Sequence, residues 1–422
     1  MDFAISERAE RLQERVAEFI DEHVLPVEAE AIRAWDEEVA PGVAYPRIVA
    51  EIRERAQAEG LWNLFLPNER FGPGLSNWEY GLLCETMGRS PIIAPMAFNC
   101  AAPDTGNMEI LAEFGTRAQQ DRWLEPQLEG RTRSAFSMTE PDSSGSDPTN
   151  LRTQARLEGD EWVIRGHKWF TSGAVGAEFA IVMAVTEPDA APHRRASMII
   201  VPIDAPGFEL IRSVSFMGEA GNSGHCEIRY DDCRVPATNL LGVRADGFAI
   251  AQARLGPGRI HHCMRAIGVA ERALEYICRR ANTRSTRGER LADKQIIQDV
   301  IARSRMEIDS ARLMVLNAAW KMDTVGKAAA RQEISMIKVI AANVVMDVLD
   351  RAVQVLGALG TTDDTPISRL WREMRTLRLA DGPDEVHKLV IARRELQRWA
   401  DAPELEFPAQ RRAAETYAAA PV

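Results

Sequence analysis

Arg378-Leu379-Ala380-Asp381-Gly382-Pro383-Asp384-Glu385-Val386-His387-Lys388 lies between two helical patterns. Ile367 to Leu379 is rich in Arg and Leu, and Val386 to Trp399 resumes with Val386, Leu389, Val390 and Leu396. Proline has no amide hydrogen and drives the preceding residue out of the helical region, so Asp381-Gly382-Pro383 caps or interrupts the run. Asp384 is the candidate cap of the second helix, with His387 at its third position. A carboxylate held in a helix break, beside a glycine that admits a ligand close to the backbone, suits a general base. The plainer alternative is a turn with a helix cap after it.

Around this break the chain is helical back to Gly242. Ile301, Ile308, Val315 and Met322 recur every seven residues, with Ile297, Ala311 and Ala318 on the neighbouring row, as in a long helix packed in a bundle. Long helices are expected from about Phe248, Ile296, Ile334 and Asp384. Between Ser134 and Gly242 the pattern changes to strand-length runs: Trp162-Val163-Ile164, Phe179 to Val185, Ser197 to Pro202, Phe208 to Ile211 and Cys226 to Tyr230. Gly159-Asp160, Pro188-Asp189 and Asp231-Asp232 are read as the turns between them. Without strand–helix alternation, a dinucleotide fold of the Rossmann type is excluded there. Upstream, helices are expected over Ser6 to Val24, Tyr45 to Gly60, Asn77 to Met87, Asn107 to Phe114 and Arg117 to Leu128. The expected organisation is α+β and multidomain: a helical domain over 1–133, a small β-barrel or sandwich over 134–242, a four-helix bundle over 243–405 and a tail over 406–422.

Composition narrows the function. A chain of 422 residues exceeds one hydrophobic core, and a formal charge of −11 argues against nucleic acid or an anionic membrane as partner. The six cysteines lack metal-ligand spacing, and adjacent His261 and His262 face different sides of a helix, so no metal site is expected. The N-terminus lacks a basic and apolar leader, and no segment reaches the length of a membrane span; a cytoplasmic protein is expected.

Gly382-Pro383-Asp384-Glu385-Val386-His387 leading into Ile391-Ala392-Arg393-Arg394-Glu395-Leu396, with Thr139-Glu140-Pro141 and Gly145-Ser146-Asp147 far upstream, resembles the acyl-CoA dehydrogenase family over nearly the whole chain. Glu113-Phe114-Gly115-Thr116 and Gln119 to Leu124 fit the same family. Most members have Glu-Gly-Thr where this chain has Asp381-Gly382-Pro383, and it resembles a subgroup with Asp-Gly-Pro. The resemblance implies FAD, held by Phe136, Met138, Thr139, Gly145 and Ser146 in a hydroxyl-rich loop one residue longer than usual. It implies a second flavin-contacting strand at His167 to Gly173, with Ser172 as hydroxyl and either Trp169 or Phe170 as the packing aromatic. Arg284, Thr286 and Gln295 resemble the turn that meets the FAD of a neighbouring subunit, although Arg287 replaces its phenylalanine. Gln354 and Gly357 belong to the next such loop, where Ala358 replaces a glycine; Pro383 and Glu385 are flavin-side contacts. Substrate contacts fall on Ser146, Arg259 and Gly382, and Leu255-Gly256-Pro257 opens the helix lining the thioester channel.

The activity implied is α,β-dehydrogenation of an acyl-CoA to a trans-2-enoyl-CoA, as in fatty-acid β-oxidation, with Asp381 as α-proton base and hydride transfer to flavin N5. The electron acceptor implied is an electron-transfer flavoprotein, and the assembly a homo-oligomer, dimer or tetramer. Desolvation by ligands is expected to raise the basicity of Asp381. Aspartate is one methylene shorter than glutamate, which favours a branched or substituted acyl chain. A flavin oxidase or monooxygenase on the same fold, and a catalytically silent flavoprotein subunit, are the alternatives.

Overall fold

The computed structural model describes residues 5–218, 224–402, 407 and 412. The expected tail, 406–422, therefore lies outside the described residues except at 407 and 412. Ser6 starts α1 (Glu7–Phe19) by accepting the Ala9 amide on its hydroxyl at 3.2 Å, and a π-helical turn over Ile20–Val24 ends the run before Pro26. The helices that follow are α2 (Glu28–Glu38), α3 (Arg47–Ala58), α4 (Asn77–Met87), α5 (Ile93–Ala97), α6 (Asp104–Phe114), α7 (Arg117–Gln119) and α8 (Glu125–Leu128). Sequence reading omitted α2 and α5. The first is rich in Glu and Ala and buries only Glu28, Ala31, Ala34 and Trp35; the second is one buried turn containing Pro95, too short for a period.

Among the described residues eight strands form one mixed sheet: β1 (Ser134–Ser137), β2 (Gln154–Glu158), β3 (Glu161–Ser172), β4 (Phe179–Val185), β5 (Ala196–Pro202), β6 (Phe208–Val214), β7 (His225–Pro236) and β8 (Leu240–Leu241). Their order is β6-β7-β3-β1-β4-β5-β8, with β2 beside β3 and β4. β1 and β2 thus share one slot between β3 and β4. β1 runs parallel to β4 from Ser134↔Phe179, and β2 pairs the first half of β3 from Glu158↔Glu161 to Gln154↔Arg165. Between them the chain from Met138 to Thr153 leaves the sheet through the gap. Asp231-Asp232, expected as a turn, lies within β7 as a bulge opposite Arg165; Asp232 takes a φ of 47° and its carboxylate accepts from the Arg165 guanidinium at 2.6 Å.

Glu140 plugs that gap. Its carboxylate accepts from the Arg152 and Thr153 amides at 2.6 and 2.9 Å and from Lys168 Nζ at 2.9 Å, and Lys168 also donates to the Met138 carbonyl at 2.7 Å. Both side chains are buried. Burial pushes the Lys168 ammonium down to about 8; burial alone would raise Glu140, but Lys168 and the two amides hold it below its ordinary value.

The helical part continues with α9 (Gly247–Thr283), a hairpin of β9 (Ser285–Thr286) and β10 (Glu289–Arg290), then α10 (Gln295–Val325), α11 (Arg331–Leu356), α12 (Ile367–Thr376) and α13 (Asp384–Arg398). In α10 the seven-residue row is buried at Ile308, Val315 and Met322. Pro257 lies inside α9 and does not open it. Gly256 and Gly258 flank the ring, and the missing amide frees one carbonyl of the preceding turn.

α9 lies at the centre of the helical part, against α4, α10 and α11. Where α4 ends, its backbone touches that of α9: a Cβ on Gly268 would overlap the Glu85 carbonyl and sit 2.8 Å from Gly88 Cα. Charged ties fix the same arrangement. Arg312 grips Glu85 at 2.8 to 3.0 Å, Arg272 grips Glu28 at 2.7 and 2.9 Å, and Asp323 accepts the Asn77 and Trp78 amides at the start of α4 at 3.1 and 2.9 Å.

These contacts give two predictions. Gly268→Ala forces α4 from α9 and lowers stability by about 1–3 kcal/mol or more, read as a fall in the urea midpoint; an unchanged midpoint would show that the helices do not meet through that glycine. Lys168→Met leaves the Glu140 carboxylate buried without its cation and costs about 3–5 kcal/mol in the same measurement.

Candidate active site

α12 stops at Thr376, whose carbonyl accepts the Leu379 and Ala380 amides, both at 2.9 Å. The backbone then turns left-handed at two residues, Asp381 with φ 55° and Gly382 with φ 100°. Glycine is required at the second: besides the positive φ, a Cβ there would sit 2.9 Å from His387 Nε2. Asp381 is a non-glycine residue in that region, a strained conformation of the kind that functional sites retain. Pro383 is the N-cap of α13 and Asp384 its first residue, so Asp384 is not the cap. Its carboxylate instead accepts from Arg378 Nε at 2.9 Å and Asn343 Nδ2 at 3.2 Å, tying the turn to α11.

Neighbouring elements fasten the turn at its carbonyls. Asp381 O accepts from Arg259 Nε at 3.1 Å and from His387 Nε2 at 3.2 Å. Buried Lys338 of α11 donates to the carbonyls of Leu377 and, at 3.5 Å, Gly382. The Asp381 carboxylate is left partly open, 23% exposed, with His262 Nε2 at 3.6 Å from Oδ2. Burial would raise its pKa, but His262, Arg259, Arg254 and Lys338 outweigh that and hold it below the ordinary carboxylate value. The protein's own groups thus act opposite to the expected rise in basicity. His387, buried beside Arg259 and Lys338, is pushed down to about 4 and is neutral at physiological pH.

Arg254 links this turn to β1. Its guanidinium lies over the Phe136 ring at 3.9 Å and donates to Asn107 Oδ1 at 3.0 Å, while Asn107 donates to Ser134 Oγ and Ala135 O at 2.8 and 3.1 Å. The structure therefore brings Phe136, Arg259, Asp381, Gly382 and Pro383 into one neighbourhood. Arg254, His262, Lys338 and His387 belong to it as well and were not singled out as site residues from sequence. A signal existed: Arg259 and His262 are three apart on one helix, and Lys338 interrupts an apolar helix.

The loop leaving the sheet at Met138 shows a second cluster. Thr139 ties to β3 twice, its hydroxyl donating to Trp169 O at 2.7 Å and its carbonyl accepting the Trp169 amide at 3.1 Å. β3 slips register between Lys168 and Thr171, and Phe170, with φ 49°, projects 41% exposed; Trp169 meets it edge-on at 4.9 Å. Past the slip the two hydroxyls separate. Thr171 is buried against Ser137, whereas half-buried Ser172 bonds His225 Nδ1 at 2.7 Å. Ser144, Gly145 and Ser146 are exposed at the loop tip, and Gly145 packs so near Thr139 that a Cβ would meet its methyl at 3.1 Å. Half-buried Phe136, Met138 and Trp169 beside an exposed, hydroxyl-rich tip fit an aromatic ring system carrying a pyrophosphate, so the residues present fit FAD.

The remaining residues lie elsewhere. Arg284 and Thr286 are exposed in the hairpin after α9, whose turn at Arg287 and Gly288 takes φ 53° and 82°; Gln295 at the start of α10, Gln354 and Gly357 at the end of α11, and Glu385 are exposed too. Among the described residues no group of His, Cys, Asp and Glu could hold a metal ion, and no helix is long and apolar enough to cross a membrane.

Three family models match the chain: Acyl-CoA dehydrogenase, N-terminal domain over 6–131, middle domain over 135–233 and C-terminal domain over 245–396. "Probable acyl-CoA dehydrogenase FadE2" of Mycobacterium tuberculosis is 51% identical over 403 residues, 94% of this chain and 98% of that protein. "Acyl-CoA dehydrogenase family member 11" of Rattus norvegicus is 46% identical over 94% of this chain, which spans only 51% of that longer protein. A solved structure from Mycobacterium abscessus, assigned to the acyl-CoA dehydrogenases, superposes with a TM-score of 0.89 at 46% identity, covering 94% of this chain and 100% of its own. With the helical, β and helical parts all matched in order, the chain belongs to the acyl-CoA dehydrogenase family.

Proposed function

We propose that the protein is an FAD-dependent acyl-CoA dehydrogenase in which Asp381 removes the α-proton of an acyl-CoA thioester, giving a trans-2-enoyl-CoA. The observation that carries this reading is the Asp381 turn: a partly open carboxylate, fixed by a left-handed backbone and, among the described residues, paired with no permanent cation at hydrogen-bond range. Asp384, by contrast, is tied down through Oδ2 by Arg378 and Asn343.

FAD, when bound, supplies the acceptor for the β-hydride. Phe136, Met138, Thr139, Trp169 or Phe170, and Ser172 would hold its ring, and the loop tip at Gly145 and Ser146, with Pro383 and Glu385, would complete the contacts. What the protein itself does is bind, orient and take a proton. Arg259 and His387 hold the Asp381 carbonyl, and Lys338 fixes the flanking carbonyls, so the carboxylate meets the thioester from one direction. Among the described residues the Asp381 amide has no acceptor and is free to stabilise negative charge developing on the thioester oxygen. The cations that lower the pKa of Asp381 lower the energy of that charge too, so a weak base suffices for a weakly acidic proton.

Arg284, Thr286, Gln295, Gln354 and Gly357 are exposed on the helical part, whereas the loop that would hold the ring leaves the sheet. This supports a homo-oligomer whose neighbouring subunit completes each FAD site, with an electron-transfer flavoprotein as the acceptor of the electrons.

Anaerobic bleaching of the flavin by acyl-CoAs, with reoxidation by oxygen or by an electron-transfer flavoprotein, separates a dehydrogenase from an oxidase and from a silent subunit. In stopped flow, Asp381→Asn slows flavin reduction by roughly 10²–10⁴-fold while acyl-CoA still binds, whereas Asp384→Asn and Glu385→Gln keep most of the rate; near wild-type reduction in Asp381→Asn would sink the base assignment. Because the pKa of Asp381 is depressed, the base is ionised throughout the neutral range and reduction falls only as pH drops below the ordinary carboxylate value.

A further inference from the structure

His262 is the side chain nearest the reacting carboxylate that the proposed reaction leaves without a task. It stands one helical turn beyond Arg259 on α9, with Nε2 3.6 Å from Asp381 Oδ2. Its other ring nitrogen is fixed: Arg265 Nη2 lies 3.0 Å from His262 Nδ1. A guanidinium can only donate, so Nδ1 is the acceptor and the proton resides on Nε2, the nitrogen that lies 3.6 Å from Asp381 Oδ2. Adjacent His261 faces away, edge-on to Tyr80 at 4.6 Å.

Resting on the reading of Asp381 as the base, we propose that His262 is a positioning residue. Its neutral imidazole, locked by Arg265, presents Nε2–H to Asp381 Oδ2 and leaves Oδ1 to receive the α-proton. At 3.6 Å the contact is just outside hydrogen-bond range, and a shift of a few tenths of an ångström on substrate binding completes it. The locked tautomer has a second effect. The one basic nitrogen of the ring is engaged by Arg265, so the proton stays on Asp381 and is not relayed to the histidine. Burial and the nearby Arg265 push His262 down to about 4, in keeping with a donor that carries no charge at neutral pH.

Other groups face the carboxylate from every packed element: Arg254, Arg259 and Cys263 from α9, Lys338 from α11, and Asp384 and His387 from the start of α13. Arg254 and Arg259 are cationic across the neutral range, burial lowers the pKa of the Lys338 ammonium, Asp384 is held by Arg378, and the Cys263 thiol is pushed up to about 12 by burial. His387, pushed down to about 4, titrates in the same acid range, so the acid limb of each His262 variant is read as its displacement from the wild-type limb, to which His387 contributes alike.

The test uses the full-length, FAD-loaded protein and the acyl-CoA that bleaches its flavin. Flavin reduction is followed from about pH 4 to about pH 9 in wild type, His262→Leu and His262→Gln. His262→Leu removes the donor: reduction slows by about 10- to 100-fold, the acid limb moves up by about one pH unit, and the KM changes by less than about twofold. His262→Gln keeps an N–H at similar reach and restores most of the rate and the limb. Equal slowing in both variants with an unmoved limb would mark a packing role and overturn the proposal, as would wild-type behaviour in His262→Leu. Imidazole ¹⁵N shifts give a readout independent of turnover: the His262 Nδ1 signal stays that of an unprotonated nitrogen from about pH 5 to about pH 9, and a protonated Nδ1 at neutral pH overturns the tautomer. Wild-type reduction in Asp381→Asn would remove the base and this role together; slow Asp381→Asn with wild-type His262→Leu sinks the role of His262 alone.

Discussion

A buried lysine holds the Asp381 turn in place. Lys338 enters from α11, where apolar residues surround it, and spends its hydrogens on main-chain carbonyls at Leu377 and Gly382, one on each side of Asp381. Burial disfavours its charge, but an amine that lost one proton would still donate two hydrogens. The left-handed pair at Asp381 and Gly382 can persist because it is over-determined: Lys338 from one side, Arg259 and His387 on the Asp381 carbonyl, and the Arg378–Asp384 pair closing the loop below.

The same device recurs at the other half of the site. Lys168, equally buried, donates to the Met138 carbonyl and to Glu140, and so fixes the segment that leaves the sheet between β1 and β2. Lysine suits both places because a compact head on a flexible stem reaches an interior carbonyl while its methylenes fill apolar space. The two anchored segments lie on different parts of the molecule, and α9 joins them: Arg254 reaches Phe136 and Asn107, while Arg259 and His262 reach Asp381. The backbone contact at Gly268 and the Arg312–Glu85 grip therefore act on the site from a distance, since any rotation of α9 would move its three site residues together.

Sequence reading reached the parts governed by local rules. Asp381-Gly382-Pro383 breaks a helix for reasons of backbone geometry alone, and α4, β4 and the buried row of α10 follow from periodicity. It failed where tertiary contacts decide. Asp231-Asp232 reads as a turn, yet pairing with β3 continues through it and the two residues become a bulge. Asp384 reads as a cap, but Arg378 and Asn343 claim its carboxylate. Lys338 and Asn343 were visible only as interruptions of an apolar run; their purpose, holding a turn some forty residues later at 3.5 and 3.2 Å, needs the fold. The spacing of His262 from Arg259 could place it near Asp381, but its tautomer, fixed by Arg265 on its far side, needs the fold.

On the proposed reading of Asp381 as the base, the electrostatics of the turn bear on how a short and weak base can serve. The positive groups near Asp381 lower its affinity for a proton, which taken alone would slow deprotonation. They act equally on the negative charge that the substrate acquires as the proton leaves, and that charge forms within the same cluster. Proton transfer moves a unit of negative charge from the carboxylate to the thioester, so a field that favours negative charge at both places largely cancels from the energy of the step. What does not cancel is direction. A donor that engages only Asp381, the role proposed for the Nε2–H of His262, works against transfer electrostatically and can repay that cost only through orientation, which is why the rate and the acid limb must be measured together.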